Sequence, residues 1–586
     1  MNVRYYSRYV DCDIRNLVVI LMHGGVVFFR GTGADALRYV EADRLRADDY
    51  YRSDGTTGIQ YSGLDATGET VSARDLSSEE YNGWVDWINP DTGERMGRPR
   101  AAGPDRQGSA RFGEMTINGP KSLSIAAALH PDVSAALDRA QQDALAEIQR
   151  WLGQHSVTRV GGRGKQEVVP VEHMQVVGIT HRTSRAGDPH RHIHMQIGTR
   201  VWAAGKWRAL DTGALIKQQG AIRALGTAII AAHPELAEVL DQHGLTLDPV
   251  TGEVVELEPF NNLMSKRGEQ VRRNLNRLEA EWNAAHPGET MGPVVFSRLT
   301  AQAWAHERPA KKPTTLREEE AWLTELREAG YDPATLQRAM PCEAVSLDEL
   351  SVQQIASRAL DRCAAGASAW NCHTVQEHAT QIITEAGVRA TGAELRDLIT
   401  VATRLALEDC FSVLAPDAPT PEHMAHLTSL RVVQAETELR DLIAARVPDR
   451  EPEPADVRAA AEARGLDAGQ ERAAAAVASR DPLVIVEGAA GAGKTTMLGA
   501  AIEVAAEQGR PSRVVAPTKR AALVARDELG VQTASVAALV RAYGWRWNSD
   551  GVWSRLAPGD TDPETGNVYR GPSGSVRLAR GERVIV

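Results

Sequence analysis

One short motif constrains the fold of the C-terminal part of this chain more than any other feature. Residues 488–495 read Gly-Ala-Ala-Gly-Ala-Gly-Lys-Thr and fit the pattern G-x-x-x-x-G-K-[ST]. An apolar run at 483–486 precedes the motif, and a helical run at 497–506 follows it. Glycines at these positions let backbone N–H groups surround phosphate oxygens, which requires a strand, a tight loop and a helix in that order. The motif therefore predicts a parallel α/β domain that binds a nucleotide.

Six residues in and directly after this loop are the predicted nucleotide ligands. Lys494 would neutralise phosphate oxygens and Thr495 would hold Mg²⁺, and the other four are Gly488, Gly491, Gly493 and Thr496. Hydrolysis also needs an acidic residue at the end of a second strand. The chain ends with Arg-Val-Ile-Val at 583–586, which is typical of the beginning of such a strand. We therefore expect an incomplete domain that binds ATP with negligible turnover.

A histidine-rich segment predicts a metal site. His192 and His194 are separated by Ile193, so on a strand both imidazoles share one face and Ile193 points into the core. His181 lies eleven residues before His192, a distance that suits a neighbouring antiparallel strand. Three imidazoles from two strands can hold one divalent cation and leave positions open for a substrate oxygen. His190 shares the parity of His192 but follows a proline at the edge of a loop, so it ranks below the other three.

The alternatives are a structural zinc site and histidines that face the solvent. A structural zinc ion usually recruits a fourth ligand, commonly Cys, and none lies near these histidines in the sequence. Basic residues around them favour a phosphate-containing substrate, although charge runs are usually solvated faces. They form two groups: Arg159, Arg163, Lys165, Arg182, Arg185, Arg191 and Arg200, and then Lys266, Arg267, Arg272, Arg273 and Arg277.

Composition limits the classes of protein to consider. The 586 residues carry 66 basic and 77 acidic side chains, for a net charge of −11, so a uniformly basic nucleic-acid coat protein is excluded. Five scattered cysteines argue against a disulfide scaffold and fit a reducing cytoplasm. The apolar run at 17–29 is interrupted by His23 and two glycines and is shorter than the ~20 residues of a membrane span. We therefore expect a cytoplasmic chain without membrane insertion.

Changes in composition predict the domain boundaries. Residues 22–310 mix β-rich runs with helices and predict an α+β domain. A proline-marked break follows, and 317–446 is almost entirely amphipathic helix. A linker rich in proline and charge, 447–460, leads to the α/β domain at 461–586.

Tyrosines near the N-terminus gain meaning only beside the predicted metal. Tyr39 lies in a helical pattern whose apolar stripe contains Leu37 and Val40, and Tyr50 and Tyr51 follow it. A tyrosine hydroxyl has a pKa of about 10 and is a poor nucleophile. Beside a divalent metal that polarises a phosphodiester, it can attack phosphorus and form a phosphotyrosyl ester. Without that context these side chains would be interpreted as half-buried aromatics.

Taken together and in this order, the motifs resemble the TrwC/TraI-type (MobF) conjugative relaxases. The matching segments are Asp48–Gly55, Glu114–Ser124, His181–Arg185, Asp188–His194 and Gly205–Leu210, with the phosphate loop behind them. The resemblance implies an α+β relaxase domain with an antiparallel, palm-like sheet and a three-histidine metal site. A helical connector and a partial α/β P-loop helicase domain would follow. Because the family normally begins close to its first strand, Met22 is the better start, and residues 1–21 are a non-native extension or an upstream start.

The resemblance also implies roles for individual residues. Tyr39 matches the first nicking tyrosine, and Tyr50 and Tyr51 match the second pair. The nucleophile is therefore one of these three tyrosines, with Tyr39 preferred. Glu114 stands where the family usually has an Asp that orients a metal-bound histidine or assists proton removal from the tyrosine. The remaining implied roles are metal binding (Mg²⁺ or Mn²⁺) by His181, His192 and His194, adenine contact by Gln470, and DNA contact by Arg185 and Lys121.

The implied function is a strand-specific DNA nickase. It would cut one strand at a plasmid transfer origin, keep the 5′ phosphate on tyrosine, and work with single-stranded DNA, other relaxosome proteins and type IV secretion coupling proteins. Two alternatives belong to other classes: a DNA helicase or repair motor whose N-terminal domain only binds DNA, and a rolling-circle replication initiator. The Glu114–Ser124 segment, and tyrosines that precede the histidines, favour the relaxase.

Overall fold

The protein is described here from a computed structural model. It describes residues 25–44, 58–103, 107–162, 164–184, 186–286, 291–307, 316–333, 339, 343–415, 420–447, 453–489 and 491–586. The chain forms two compact units, one that ends at Thr428 and one that begins at Ser429. No helix in these ranges is long and apolar enough to cross a membrane.

An antiparallel sheet dominates the first unit. Among the described residues, the eight strands of this sheet and the two of a separate hairpin are β1 (Val27–Phe29), β2 (Ile59–Asp65), β3 (Thr70–Asp75), β4 (Phe112–Asn118), β5 (Val157–Val160), β6 (Glu167–Pro170), β7 (His173–Thr183), β8 (Pro189–Gly198), β9 (Arg200–Ala203) and β10 (Lys206–Ala209). The main sheet has the order β1-β4-β8-β7-β2-β3, and β9 pairs with both β7 and β10. Strands β5 and β6 form a separate hairpin. The long central pair β7–β8 therefore lies in the middle of the sheet.

Among the described residues, twelve α-helices accompany this sheet. They are α1 (Gly33–Arg44), α2 (Ser78–Val85), α3 (Lys121–Leu129), α4 (Pro131–His155), α5 (Thr212–Ala232), α6 (Pro234–Gln242), α7 (Lys266–Ala285), α8 (Pro293–Ala305), α9 (Leu316–Glu328), α10 (Val352–Gly366), α11 (Cys372–Glu385) and α12 (Gly392–Glu408). Local sequence explains several ends. A capping box of Ser77 and Glu80 begins α2, and Pro131 occupies the first turn of α4, where its missing N–H costs nothing. The predicted α+β character of this region is confirmed.

The two faces of the sheet are covered by different helices. Ile193, Met195 and Ile197 of β8 are buried in the larger core with residues of α3, α4 and α5. Residues of α1 and α2 pack on the opposite face in a smaller cluster with Phe112 and Ile179. Alternation along β8 thus sends its apolar residues to one face and its histidines to the other. The predicted core position of Ile193, which is 1% exposed, is confirmed.

The helical region predicted at 317–446 contains helices through most of its length, but its packing was not foreseen. Trp322 of α9, Ile355 of α10, Ile383 of α11 and Ile399 of α12 belong to the same buried cluster as the main sheet. These helices have no separate core among the described residues. As far as Thr428, they are part of the first unit.

The second unit begins near a short two-stranded pairing of β11 (Cys410–Ser412) with β12 (Leu427–Ser429). Its helices are α13 (Leu430–Ala444), α14 (Arg458–Ala463), α15 (Ala468–Val477), α16 (Lys494–Glu507), α17 (Lys519–Leu529) and α18 (Val536–Ala542). The strands that lie wholly within it are β13 (Ser512–Ala516), β14 (Gln532–Ser535), β15 (Trp545–Trp547), β16 (Trp553–Arg555) and β17 (Arg583–Ile585). Strands β14, β13 and β17 form a parallel sheet, as the α/β prediction required.

One predicted element is wrong. Leu483–Val486 is not a strand in the structure, although it leads into the glycine loop. Ile485 is 80% exposed, and no strand of the described residues pairs with this segment. Without a neighbour to bind its backbone N–H and C=O groups, an apolar run does not form a strand.

Candidate metal centre

Three histidines converge on one face of the central strand pair. His181 on β7 is the register partner of His192 on β8, and Ile179 is the partner of His194. The imidazole nitrogens of the three residues all lie within 4.8 Å of one another. The predicted set of His181, His192 and His194 is therefore brought together by the hairpin, as the spacing suggested.

Hydrogen bonds fix which ring nitrogens face the centre. His192 Nδ1 lies 2.8 Å from the carbonyl oxygen of His190, and His194 Nδ1 lies 3.0 Å from Glu114 Oε1. Because both partners are acceptors, both Nδ1 atoms carry the proton. The two Nε2 lone pairs then face each other across 3.2 Å.

This geometry fits a metal ion. Two lone pairs at that distance repel unless a cation lies between them. Ligands at ~2.0–2.1 Å from a tetrahedral zinc ion are about 3.3 Å apart, close to the observed spacing. Three neutral imidazoles leave a fourth position open, which is the arrangement of catalytic rather than structural sites.

A chain of buried polar groups supports His194. Glu114 accepts from His194 Nδ1 and, through Oε2, from Gln196 Nε2 at 3.1 Å. Gln196 Oε1 in turn accepts from the hydroxyl of Tyr81 at 2.9 Å. Gln196 and Tyr81 are 1% and 0% exposed. The chain therefore holds the Glu114 carboxylate, and through it the His194 ring, in one orientation.

Sequence reasoning found Glu114 but missed Gln196 and Tyr81. Gln196 has the strand parity of His192 and His194, so the alternation that located the histidines was a usable signal for it. Tyr81 lies 115 residues before Gln196 in sequence. Only the packing of α2 against the sheet brings it there, and no local pattern predicts that contact.

The local electrostatics suit a cation. Burial, helped by the neighbouring histidines, lowers the pKa of His192 well below its ordinary value, so the ring is neutral. Burial of Glu114 opposes its ionisation, but hydrogen bonds from His194 and Gln196 outweigh this effect and lower the pKa of the carboxyl. A neutral imidazole and an ionised carboxylate are the forms that metal binding requires.

The helix that carries Tyr39 lies over the same face. Ala36 and Val40 of α1 are buried in one cluster with Ile179, the register partner of His194. Tyr39 is in this helix, and its side chain lies outside what the structure describes. Tyr50 and Tyr51 also lie outside the described residues, as does Arg185.

Lys121 is tied to the protein itself. Its Nζ donates to the carbonyl oxygen of Pro189 at 2.8 Å, at the beginning of β8. Burial lowers the pKa of this ammonium group to about 8, although the carboxylate of Asp188 opposes the change. In this structure Lys121 therefore anchors the strand that carries His192 and His194.

Several other residues of the predicted basic groups also contact protein groups. Arg191 is buried and binds Asp138 and Ser134, and Arg200 lies over the ring of Trp87 at 5.0 Å. Lys266 pairs with Glu325, and Arg272 pairs with Glu269. Arg191 is therefore committed to the protein interior, whereas the side chains of Lys266 and Arg272 stay 48% and 57% exposed.

The phosphate loop lies in the second unit, ahead of α16. Gly493 has a φ of 67°, a left-handed conformation that favours glycine, and α16 begins at the next residue. Lys494 Nζ donates to the carbonyl oxygens of Gly488 and Ala489 at 3.0 and 2.7 Å. Gln470 Nε2 donates to the carbonyl oxygen of Ala492 at 3.0 Å. The structure thus brings Gln470 to the loop, which its position 24 residues before Lys494 did not by itself predict.

Comparison with known proteins agrees with this architecture. A family model described as TrwC relaxase matches residues 33–329, and one described as AAA domain matches residues 465–569. No curated protein gave a significant match. Three solved structures illustrate the similarity, each covering 53% of this chain and 99% of its own. They are a conjugative relaxase TrwC in complex with oriT DNA (23% identity, TM-score 0.39), a metal-bound form of such a complex (21%, 0.37), and TrwC with a 27-mer DNA that comprises the recognition hairpin and cleavage site (21%, 0.37).

Proposed function

Because the family match spans more than half of its length, this chain belongs to the TrwC relaxase family, and we propose that it nicks one DNA strand at a plasmid transfer origin by tyrosine transesterification. The family is one of DNA strand transferases, so the chain is an enzyme. What supports the detailed proposal is the convergence of three histidines, two of which, His192 and His194, have their Nδ1 atoms held by acceptors. The remaining steps follow from the chemistry of these residues.

In the proposed reaction a tyrosine hydroxyl attacks the scissile phosphorus. The phenolic oxygen loses its proton and forms the new P–O bond, the bond from phosphorus to the 3′ oxygen breaks, and that oxygen takes up a proton. The 5′ phosphate stays on the tyrosine as an ester. Tyr39 is the proposed nucleophile, and Tyr50 and Tyr51 are the proposed second pair. Rejoining is the reverse reaction, with the 3′ hydroxyl as the nucleophile.

His181, His192 and His194 are the proposed ligands of a divalent cation, Mg²⁺ or Mn²⁺. Such a cation would supply Lewis-acid polarisation of the phosphate and stabilise its developing charge. Glu114 acts one step away, since its bond to His194 Nδ1 keeps the proton on that atom and leaves Nε2 for the cation. Gln196 and Tyr81 are positioning residues for Glu114.

The experiment is an assay for a covalent adduct. The full chain is incubated with single-stranded oligonucleotides tiled across the transfer origin of its replicon, with Mg²⁺ or Mn²⁺, and adducts are resolved on a denaturing gel. The full chain is needed because α9–α12 share the core of the sheet. We expect an adduct that His192→Ala and EDTA abolish. DNA binding by the wild type without any adduct would refute the proposal.

For the second unit we propose ATP binding at the glycine loop, with Lys494, Thr495, Thr496, Gln470 and the three loop glycines as contacts. The AAA match over 465–569 and the left-handed Gly493 before α16 support it. Binding would release Lys494 from the loop carbonyls toward the phosphates. Single-stranded DNA, relaxosome and secretion coupling proteins are the proposed partners in the cytoplasm. Lys494→Ala should abolish binding of a fluorescent ATP analogue, and unchanged binding would refute the loop as the site.

A further inference from the structure

A second cluster of metal-type ligands lies away from the three histidines. His155 is the last residue of α4, His373 is in the first turn of α11, and Glu422 lies in the segment that leads to β12. Their donor atoms all lie within 4.8 Å of one another. Among the residues that the structure describes, this cluster and the His181, His192 and His194 site are the two groups of three with this property.

The distances fit one small cation. Glu422 Oε2 lies 2.9 Å from His155 Nδ1 and 3.9 Å from His373 Nε2. Ligands around a tetrahedral zinc ion are about 3.3 Å apart when each lies ~2.0–2.1 Å from the metal. The first distance is about 0.4 Å shorter than this spacing and the second about 0.6 Å longer, so side-chain shifts within the cluster, with the His155 proton on Nε2, would form a coordination sphere.

The two imidazoles are held in place by their surroundings. The ring of Trp151 packs against His155 at 4.7 Å and against His373 at 5.2 Å. Gln218 Nε2 donates to the carbonyl oxygen of His155 at 2.8 Å and lies 3.3 Å from His373 Nε2. Since this amide is a donor, His373 Nε2 carries a lone pair, which a cation would take in place of the amide hydrogen bond. Its Nδ1, in a side chain only 1% exposed, has no hydrogen-bond partner among the described residues.

The segment that carries Glu422 is also fixed. Cys372 Sγ donates to the carbonyl oxygen of Glu422 at 3.6 Å, and Asn371 Nδ2 donates to that of His423 at 3.2 Å. The carboxylate itself is 59% exposed, so an ion can reach it from solvent. A rigid pair of imidazoles and an accessible carboxylate on an anchored backbone are the properties of a preorganised binding site.

We propose that His155, His373 and Glu422 form a second metal site, which binds one Zn²⁺ ion and joins α4, α11 and the segment before β12. Two imidazoles and one carboxylate are a known zinc ligand set, with a water in the fourth position. The site links parts of the chain that are 267 residues apart, and a bound ion stabilises the packing of α11 and the segment before β12 on α4.

The test is the zinc content of the full chain. Purified protein is stripped with chelator, equilibrated with Zn²⁺ alone, freed of unbound metal and measured by mass spectrometry. We expect about two ions for the wild type, one for Glu422→Gln, one for His192→Ala and none for the double variant. Glu408→Gln replaces an exposed glutamate of α12 and serves as the matched control, with two ions. Glu422→Gln should leave adduct formation unchanged.

Two results would overturn the proposal. One is Glu422→Gln with as much zinc as the wild type. The other is His192→Ala with none. A second measurement does not depend on the folding of the Glu422 variant: zinc should raise the Tm of His192→Ala, in which only the new site remains. A Tm of His192→Ala that zinc leaves unchanged would equally refute the second site.

Discussion

Replacing Glu114 by Gln isolates the charge that orients His194. The carboxylate accepts two hydrogen bonds, from His194 Nδ1 at 3.0 Å and from Gln196 Nε2 at 3.1 Å. A carboxamide of the same size has one oxygen and one NH₂ group, so one of these contacts would join two donors. His194 relieves that contact by moving its proton to Nε2, which removes the lone pair from the metal site.

The expected loss of metal affinity in Glu114→Gln follows from the loss of one hydrogen-bond acceptor that supports His194. Removing such a partner typically weakens metal binding about 10–100-fold, which is about 1.4–2.8 kcal/mol at 1.4 kcal/mol per tenfold change. We expect Glu114→Gln to raise the Mn²⁺ concentration for half-maximal adduct formation by that factor. Glu114→Asp keeps the charge and should lie between Glu114→Gln and the wild type.

The assay is a Mn²⁺ titration of adduct formation, paired with isothermal calorimetry of metal binding. Glu94→Gln makes the same chemical change at an exposed loop position and is the matched control, with an unchanged curve. If Glu114→Gln binds Mn²⁺ as tightly as the wild type, the Glu114 carboxylate does not orient His194 and does not determine which of its ring nitrogens carries the proton.

Three further predictions test other parts of the structure. Tyr81→Phe leaves Gln196 Oε1 buried without its donor, so it should cost about 1–3 kcal/mol of unfolding free energy and weaken metal binding. The control is Tyr61→Phe, which removes from another tyrosine of the same buried cluster a hydroxyl that binds Asp91 and should lower stability without changing metal affinity. Equal metal affinity in the two variants would contradict the hydrogen-bond chain from Tyr81 to Glu114. The folded-state pKa of Lys121, about 8, lies below its unfolded value of about 10.4. Between about pH 8 and about 10.4 the unfolded chain therefore holds more protons, and the free energy of unfolding should increase as the pH rises. Urea titrations of Lys121→Met should lack this increase, and an increase that persists in the variant would belong to another group. Glu582→Ala leaves the buried Arg513 without its carboxylate partner, which lies 2.9 Å away, and should lower the free energy of unfolding of the second unit by about 3–5 kcal/mol in denaturant. A loss below about 1 kcal/mol would show that the ion pair is not effectively buried.

The sequence was most informative where local periodicity determines the structure. Alternation along β8 places His192 and His194 on one face and Ile193 on the other, and an eleven-residue spacing suits the hairpin that adds His181. A capping signal or a glycine loop acts over a few residues in the same way, as Gly493 before α16 shows. These features need no knowledge of distant parts of the chain.

The remainder depends on contacts that no local pattern encodes. Tyr81 reaches Gln196 only because α2 packs on the sheet, and α9–α12 join the main core through residues such as Ile383. Leu483–Val486 has the composition of a strand but lacks a paired neighbour among the described residues. Basic residues such as Arg191 are used in internal ion pairs, which a count of charges cannot reveal.

The identity of the attacking tyrosine decides whether the proposed transesterification is correct. The adduct formed by the full chain with transfer-origin DNA is digested with protease and nuclease, and the modified peptide is sequenced by mass spectrometry. We expect a phosphotyrosyl nucleotide on Tyr39, and loss of the adduct in Tyr39→Phe while DNA binding persists. An adduct on Tyr50 or Tyr51 in the wild type, or one that survives in Tyr39→Phe, would contradict this assignment.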